Sequence, residues 1–564
     1  MTRLSTTARQ AMGWLLLISI AVMLPADRLL GAGDVAAAAK AGDLATVRKL
    51  ILARADVNVP GADSSTALLW AAYNSDIDMT RALLAAGAKV NTANRYGVSP
   101  LLQASRTGDT AVMAALLKAG ADAKAIPVNA ETPLMAAART GRVDAVRLLM
   151  AAGADVNAGD AVQKETALMW AAAEGHAPVA EALLESGANP NLRSGVTPFT
   201  KREHADHPSG GFTALMFAAR NGHEDVAKAL VRRGADLNAV NGDAANGLMG
   251  ATATIIAIVN DRLDLAGALI ELGADPNDGS LYHAVDMHDA TTDMRARDGS
   301  QLRGNHPNTL TSLDLIKRLL DKGADANKPF VGQLHSTSLC CGEMANGTPF
   351  FRAAVAADVD VLKLMIERGA NVEWVPSAVQ QEGDGGGGGG AGGRGNVGRT
   401  ALMVAMNGGR GAPFAAGPGF NREGPPPFRE AGNRTPVEAV KALLAAGAKP
   451  DTKAPDGSTA LHQAADRGNL DMIRALAAGG ATLDTKNKDG LTALEAVEKP
   501  APEGRGRGAG AAAAMMGMDQ GTEKRATKEE VAALLRELMG LPPAPPKPAE
   551  TTAKADETKA GNSK

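Results

Sequence analysis

Aromatic residues and cysteines are both scarce in this sequence. Only 3% of its 564 residues are aromatic, whereas 64 are glycine. This balance excludes one large aromatic core and favours many small layers built from alanine and leucine. The only two cysteines, Cys340 and Cys341, are adjacent. A disulfide framework is therefore excluded, and packing alone must hold the fold together.

The sequence also lacks an excess of charge of one sign. It has 59 basic and 62 acidic residues, for a net charge of −3. A domain that binds nucleic acid normally has a clear basic excess, so we expect no nucleic-acid partner. The GxSxG, P-loop, HExxH, CxxC and CxxCH motifs are missing as well. We therefore expect a non-catalytic protein with no cofactor and no metal.

A long apolar run occurs only near the N-terminus. Residues 11–24, AMGWLLLISIAVML, carry no charge and follow two arginines. This run is too short to span a bilayer comfortably but suits the central region of a secretory signal peptide. We expect residues 1–33 to be a signal peptide cleaved after Ala26 or Gly33, with an uncleaved signal anchor as the alternative. Either form places the rest outside the cytoplasm, and the alanine-rich character suggests a bacterial periplasmic or extracellular protein.

The sequence is rich in copies of one unit, seen most clearly in TALMFAARNGHEDVAKALVRRGADLN from Thr213 onward. Thr213 is placed to cap a short helix, which Gly222 ends. A second helix is predicted over residues 224–233, and Gly234 closes it in the left-handed conformation. Isolated helices shorter than about 12 residues are marginal in water, so each unit must bury its apolar faces against neighbouring units.

Copies of this unit follow one another at nearly constant spacing. The turn glycines Gly87, Gly120, Gly153 and Gly187 lie 33, 33 and 34 residues apart. This period and the T-P-L-H-x-A signature, copied most closely by TALH at 459–462, resemble the ankyrin repeat family. The resemblance implies an all-α solenoid of about twelve helix-turn-helix units with β-hairpin-like loops. Most units have Met or Leu in place of the signature His, so the buried Thr–His hydrogen bond of the family is not expected in them.

Changes in spacing and composition predict the domain organisation. We expect regular repeats over 34–192, repeats with insertions over 193–498, an insertion plus a final split repeat helix over 499–540, and a disordered tail over 541–564. Low-complexity insertions occupy about 374–398 and 410–434. Insertions near 192–211, 328–347 and 373–398 should extend hairpins, whereas those near 290–311, 410–434 and 499–526 should separate the two helices of one unit.

Several side chains could carry chemistry, and we weighed each against a structural role. Trp70, Trp170 and Phe217 share one register in their units, which indicates interior packing between units. His283 occupies the same register and is therefore predicted to pack rather than to bind metal, and His288 follows in the same helix. His204 and His207 have no third ligand nearby, which favours a solvated loop.

The cysteine pair has three states open to it. Cys340 and Cys341 could form a vicinal disulfide, cross-link two chains, or remain two thiols. We favour a structural or redox-labile loop, because only His335 is close by in sequence and no second base completes a nucleophile. The pair supports an alternative function, an accessory subunit of a periplasmic redox or metalloenzyme system with a Cys-Cys/His site.

The resemblance to ankyrin repeats also implies where a ligand would bind. In that family, ligands are held by hairpin tips and by the exposed ends of the first helices. The corresponding residues here are Tyr73, Asn74, Arg106, Thr107, Arg139, Thr140, Glu174, Arg220 and Asn221. The row is mixed and mildly basic, which favours a polar or acidic protein partner. We therefore expect an exported scaffold for protein–protein interaction, with a secreted effector as a third hypothesis.

Overall fold

The structure is a computed structural model, and it describes residues 34–127, 131–196, 210–242, 250–289, 308–333, 344–377, 396–406, 435–499 and 525–543. The predicted signal peptide, most of each insertion, the tail, both cysteines, His204, His207 and His335 lie outside these residues.

The described residues contain 24 short helices, which in chain order form twelve pairs. They group into two compact units, and the first unit contains fifteen of the helices. These are α1 (Asp34–Lys40), α2 (Leu44–Leu52), α3 (Ala67–Tyr73), α4 (Ile77–Ala85), α5 (Pro100–Thr107), α6 (Thr110–Lys118), α7 (Pro133–Arg139), α8 (Val143–Ala151), α9 (Ala167–Glu174), α10 (Ala177–Glu185), α11 (Ala214–Asn221), α12 (Glu224–Arg232), α13 (Ala253–Val259), α14 (Leu263–Glu271) and α16 (Ser312–Asp321).

The second unit contains the remaining helices and two strands. They are α15 (Ser280–Asp289, in this unit from Leu281 onward), β1 (Phe330–Gln333), β2 (Met344–Gly347), α17 (Pro349–Ala356), α18 (Val359–Glu367), α19 (Ala401–Ala405), α20 (Pro436–Ala445), α21 (Ala460–Asp466), α22 (Leu470–Ala478), α23 (Ala493–Glu498) and α24 (Lys528–Leu538).

The helix boundaries agree with the caps read from the sequence. The Thr213 side chain accepts a hydrogen bond from the Met216 amide at 3.4 Å, at the start of α11. Gly222 ends that helix with φ of 84°, and Gly234 follows α12 with φ of 87°. Both glycines are in the left-handed region, where a β-carbon is costly, so the predicted helix–turn–helix unit is confirmed.

Within the first unit, the helices form two layers. The first helices of successive pairs, from α1 to α13, pack on one another, and the second helices pack in the same order from α2 to α14. α16 continues the second layer by packing on α14. Alanines on the first helices, such as Ala71, Ala137 and Ala171, are fully buried, and their small side chains allow neighbouring helices to approach closely.

Asparagines in the turns link neighbouring repeats through their side-chain amides. The Asn191 Nδ2 donates to the Gly234 carbonyl at 2.9 Å, and its Oδ1 accepts from the Asp236 amide at 2.8 Å. Asn58, Asn91 and Asn157 repeat the same pair of bonds. Lys124 takes this position in one repeat of the first unit.

In the second unit, the structure describes the residues on both sides of several predicted insertions. β1 and β2 pair antiparallel, with Phe330 opposite Gly347, on either side of residues 334–343. α19 packs on α20 and α23 packs on α24, although each pair is separated by an insertion. The two helices on either side of each of these insertions therefore pack on each other.

In different repeats, methionine or histidine accepts a hydrogen bond from the threonine that caps the first helix. Thr459 and His462 are linked by a 2.9 Å hydrogen bond between Oγ1 and Nδ1, and His462 Nε2 lies 3.1 Å from the Leu491 carbonyl. Because a carbonyl only accepts, Nε2 must carry the proton. In α11, the Met216 sulfur accepts from the Thr213 amide at 3.4 Å instead. The weaker sulfur acceptor thus replaces the ring nitrogen.

Candidate functional site

The predicted partner-binding residues lie at the C-terminal ends of first helices in the first unit. Two of them link repeats. Asn74 Nδ2 donates to the Ala39 carbonyl at 2.9 Å, and Asn221 Nδ2 donates to the Ala173 carbonyl at 2.6 Å. Both side chains therefore join a helix end to the preceding repeat.

Two further members of the predicted row bond to their own helices. Thr107 Oγ1 donates to the Ala104 carbonyl at 2.9 Å, and Thr140 Oγ1 donates to the Ala137 carbonyl at 2.7 Å. The five remaining members of the predicted row are each at least partly exposed. We call Tyr73, Arg106, Arg139, Glu174 and Arg220 the first-helix row.

One carboxylate joins two cations of this row. Glu131 Oε1 accepts from Arg106 Nε at 2.9 Å and from Arg139 Nη2 at 3.2 Å. The Glu131 side chain is 12% exposed, whereas that of Arg139 is 42% exposed. Glu131 therefore offsets part of the basic charge and holds two neighbouring guanidinium groups in fixed positions. The sequence analysis missed it because it lies before α7, not at a helix end.

Aromatic side chains lie next to cations at the ends of first helices, both within the row and beside it. Trp70 and Trp170 are half-buried, with Lys40 Nζ 4.8 Å from the Trp70 ring and Arg139 Cζ 5.6 Å from the Trp170 ring. Their predicted interior position is therefore wrong in part, because the large indoles extend beyond the layer of alanines to the helix edge. Phe217 is 8% exposed, as predicted.

A second carboxylate lies near the other end of the row. Burial raises the pKa of Glu165, nearby Asp160 raises that pKa further, and Arg220 opposes both effects. Arg220 Cζ also lies 5.3 Å from the Phe217 ring and 6.0 Å from the Phe212 ring. This part of the row thus combines charge with aromatic surface.

The loops between repeats expose apolar side chains that the sequence analysis did not single out. Tyr96 is 61% exposed, Ile126 52% and Val162 70%. Each comes from a different, successive loop of the first unit. These residues could have been found in the sequence, because a large apolar side chain is unusual in a turn between repeats.

In the second unit, two acid–base pairs are buried. Arg352 Nε donates to Asp286 Oδ1 at 2.8 Å, and His288 Nε2 lies 3.0 Å from Asp358 Oδ2. His283 packs edge-on against Phe330 with 4.8 Å between ring centroids, and it is 1% exposed. The packed role predicted for His283 therefore matches its position.

No group of three His, Cys, Asp or Glu side chains within the described ranges could hold a metal ion. Among the helices of those ranges, none is both long and apolar enough to cross a membrane. The predicted site at Cys340 and Cys341 lies outside the described residues.

A comparison with known protein families agrees with the architecture. A family model described as ankyrin repeats (3 copies) matches residues 35–126, 124–194, 198–280 and 430–497, which together make up more than half of the chain. The crystal structure of the human ASB11 ankyrin repeat domain is 25% identical, with a TM-score of 0.36, over 42% of this chain and 96% of that chain. No curated protein sequence matches this chain. The chain belongs to the ankyrin repeat family.

Proposed function

We propose that this protein is a non-catalytic scaffold that binds a protein partner along the first-helix row. Ankyrin repeats generally serve as protein–protein interaction scaffolds. The observation that carries the proposal is the first-helix row itself, in which five successive stacked helices each present one polar or aromatic side chain that is at least partly exposed. Solvent-directed Tyr and Arg are the residue types enriched where proteins bind one another.

Rigidity supports this function. Asn74 and Asn221 fix helix ends to neighbouring repeats, and Glu131 holds Arg106 and Arg139 in place. A surface that is already ordered loses little conformational entropy on binding, so more of the contact energy appears as affinity.

We further propose that the chain is exported. The support is the charged start and apolar run within residues 1–33. Mass spectrometry of the native protein tests this directly. A mature N-terminus after Ala26 or Gly33 supports cleavage and export, whereas an intact N-terminus in the cytoplasmic fraction contradicts export.

Affinity capture tests the scaffold function. The full-length protein serves as bait beside a variant with Tyr73→Ala and Glu174→Lys, which changes two exposed row residues without disturbing the Glu131 bridge. The matched control carries Arg81→Glu and Arg147→Glu on exposed faces of the second helices α4 and α8. We expect one protein to be lost from the row variant and retained by the control. Equal recovery from all three baits would refute the first-helix row as the binding surface.

A further inference from the structure

Four successive loops of the first unit present the same chemistry at their tips. The loop segments are 92–98, 122–127, 159–165 and 192–196, and we call them the tip ridge. Each exposes one cation and one large apolar side chain. The pairs are Arg95 with Tyr96, Lys124 with Ile126, Lys164 with Val162, and Arg193 with Val196.

The apolar side chains of the ridge are unusually concentrated. Ten large hydrophobic residues are exposed in the described part of the chain, and four of them lie in these four short loops. Single exposed apolar residues are normal on soluble proteins, whereas a grouped set marks a binding surface.

Three carboxylates lie in these loops. Those of Asp160 and Asp122 accept hydrogen bonds from their own turns, and the third, Glu165, is half-buried near Arg220. Asp160 Oδ1 accepts from the Val162 and Gln163 amides at 2.8 and 2.6 Å, and Asp122 Oδ1 accepts from the Lys124 amide at 2.9 Å. In contrast, none of the four ridge cations forms an ion pair with any residue that the structure describes. The four ridge cations are therefore exposed and outside any ion pair among the described residues, whereas Asp160 and Asp122 bond to their own turns.

Neighbouring tips also touch. The Gly195 amide donates to the Gln163 carbonyl, joining two successive loops. A methyl group placed on Gly97 would lie 3.6 Å from Cβ of Pro127 in the next loop. The first tip therefore touches the second, and the third touches the fourth.

We propose that the tip ridge binds an extended segment of a protein partner in which an acidic and an apolar residue recur about every third position. Packed helices lie about 8–10 Å apart, and a chain in the extended polyproline II conformation rises about 3.1 Å per residue and brings every third side chain to the same face. Three residues of such a segment therefore match one repeat. The inference rests on the proposed scaffold function and names the chemistry of the bound segment.

A narrow line of side chains fits an extended peptide better than a membrane, which would require a broad coplanar surface. An anionic membrane offers negative charge and apolar chains as well, so it is included in the test as a competing outcome.

Fluorescence anisotropy with the full-length protein tests the proposal. The probe is a labelled peptide of about twelve residues that repeats Asp-Leu-Gly, long enough to reach four tips. Comparison peptides of equal length repeat Lys-Leu-Gly, repeat Asp-Ser-Gly, or space the Asp-Leu pairs five residues apart. We expect the Asp-Leu-Gly peptide to bind most tightly. Each comparison peptide should bind with an affinity at least about tenfold lower.

Matched variants locate the binding. Arg95→Glu with Lys164→Glu reverses two ridge cations, and Tyr96→Ser with Val162→Ser removes two apolar contacts; the control pair is again Arg81→Glu with Arg147→Glu. We expect both ridge variants to lose about tenfold or more in peptide affinity and the control to lose none. Equal peptide affinity of the wild-type protein and both ridge variants would overturn the proposal. It would also be overturned if the protein sedimented with phosphatidylserine vesicles but did not bind the peptide. If the captured partner depends on the first-helix row but not on the ridge, the scaffold function stands and this inference fails.

Discussion

The two carboxylate oxygens of Asp358 serve two different helices, because Oδ1 caps α18 while Oδ2 lies 3.0 Å from Nε2 of His288 in α15. The cap is a 3.1 Å hydrogen bond from the Val361 amide. Both side chains are almost fully buried, at 1% and 3% exposure. One side chain thus combines a helix cap with a close contact to a buried histidine inside the second unit.

Replacing Asp358 with alanine should strongly destabilise the second unit. The change removes the cap and takes away the carboxylate beside buried His288, and the loss of a partner of a buried polar group costs about 1–3 kcal/mol. Asn469→Ala is the matched control, because Asn469 caps α22 through the Met472 amide at 3.0 Å in the same unit. Loss of that cap should cost only about 1 kcal/mol. Thermal unfolding and amide exchange across α18 measure both, and equal effects of the two substitutions would contradict a role for the His288 pair.

Lys124→Asn should stabilise the first unit. Asparagine at this position would restore the pair of bonds that Asn91 and Asn157 make, here to the Gly153 carbonyl and the Asp155 amide. A typical hydrogen bond contributes about 0.5–1.5 kcal/mol net. The control is Lys89→Asn in the preceding loop, which adds the same side chain away from the bridging position. The account of the asparagine links is wrong if the midpoint of urea unfolding rises no more for Lys124→Asn than for the control.

Gly153→Val should destabilise the first unit through its backbone. Gly153 has φ of 89°, and the left-handed region costs an L-residue roughly 1–2 kcal/mol. The nearest atom to an added β-carbon is Lys124 Cε at 3.3 Å, which can move away, so strain in the backbone dominates. Gly153→Asn should cost less, since asparagine tolerates this conformation better. Melting temperatures of the two variants test this, and a Val variant as stable as the Asn variant would contradict it.

Stability of the first unit should fall as the pH drops from about 7 to about 5, partly because of His223. Burial lowers the pKa of His223, and the hydrogen bond from Nε2 to the Ala173 carbonyl at 3.1 Å opposes that shift only in part. As the pH falls, His223 of the unfolded chain therefore takes up a proton first. The stabilising contribution of neutral His223 is complete above the pKa that this histidine has in the unfolded chain, and it is lost as the pH falls toward the lower pKa of the folded chain. His223→Gln can retain a donor to Ala173 and should flatten the pH dependence of unfolding. Identical slopes for wild type and variant would exclude His223 as a source.

The repeat unit was predictable because its signals are local. Thr213, Gly222 and Gly234 each act within a few residues of their own position, and the structure confirms all three roles. The spacing of the turn glycines likewise predicts helix pairs that stack, since neither helix is long enough to be stable alone.

Features that depend on neighbouring repeats were harder to predict. Glu131 reaches Arg106 across 25 residues of sequence, and no short motif marks that contact. The partial exposure of Trp70 and Trp170 depends on the space left by adjacent alanines, which the register alone does not define. Asp358 and His288 lie in helices that are separated by insertions, so their contact could be identified only in the folded structure.

Hydrogen–deuterium exchange of the full-length protein, with and without its captured partner, tests the central claim most directly. The account predicts slower exchange, caused by the partner, at the ends of the first helices and in the loop segments of the tip ridge, with the second helices α4 to α10 unchanged. Slower exchange confined to those second helices would contradict it.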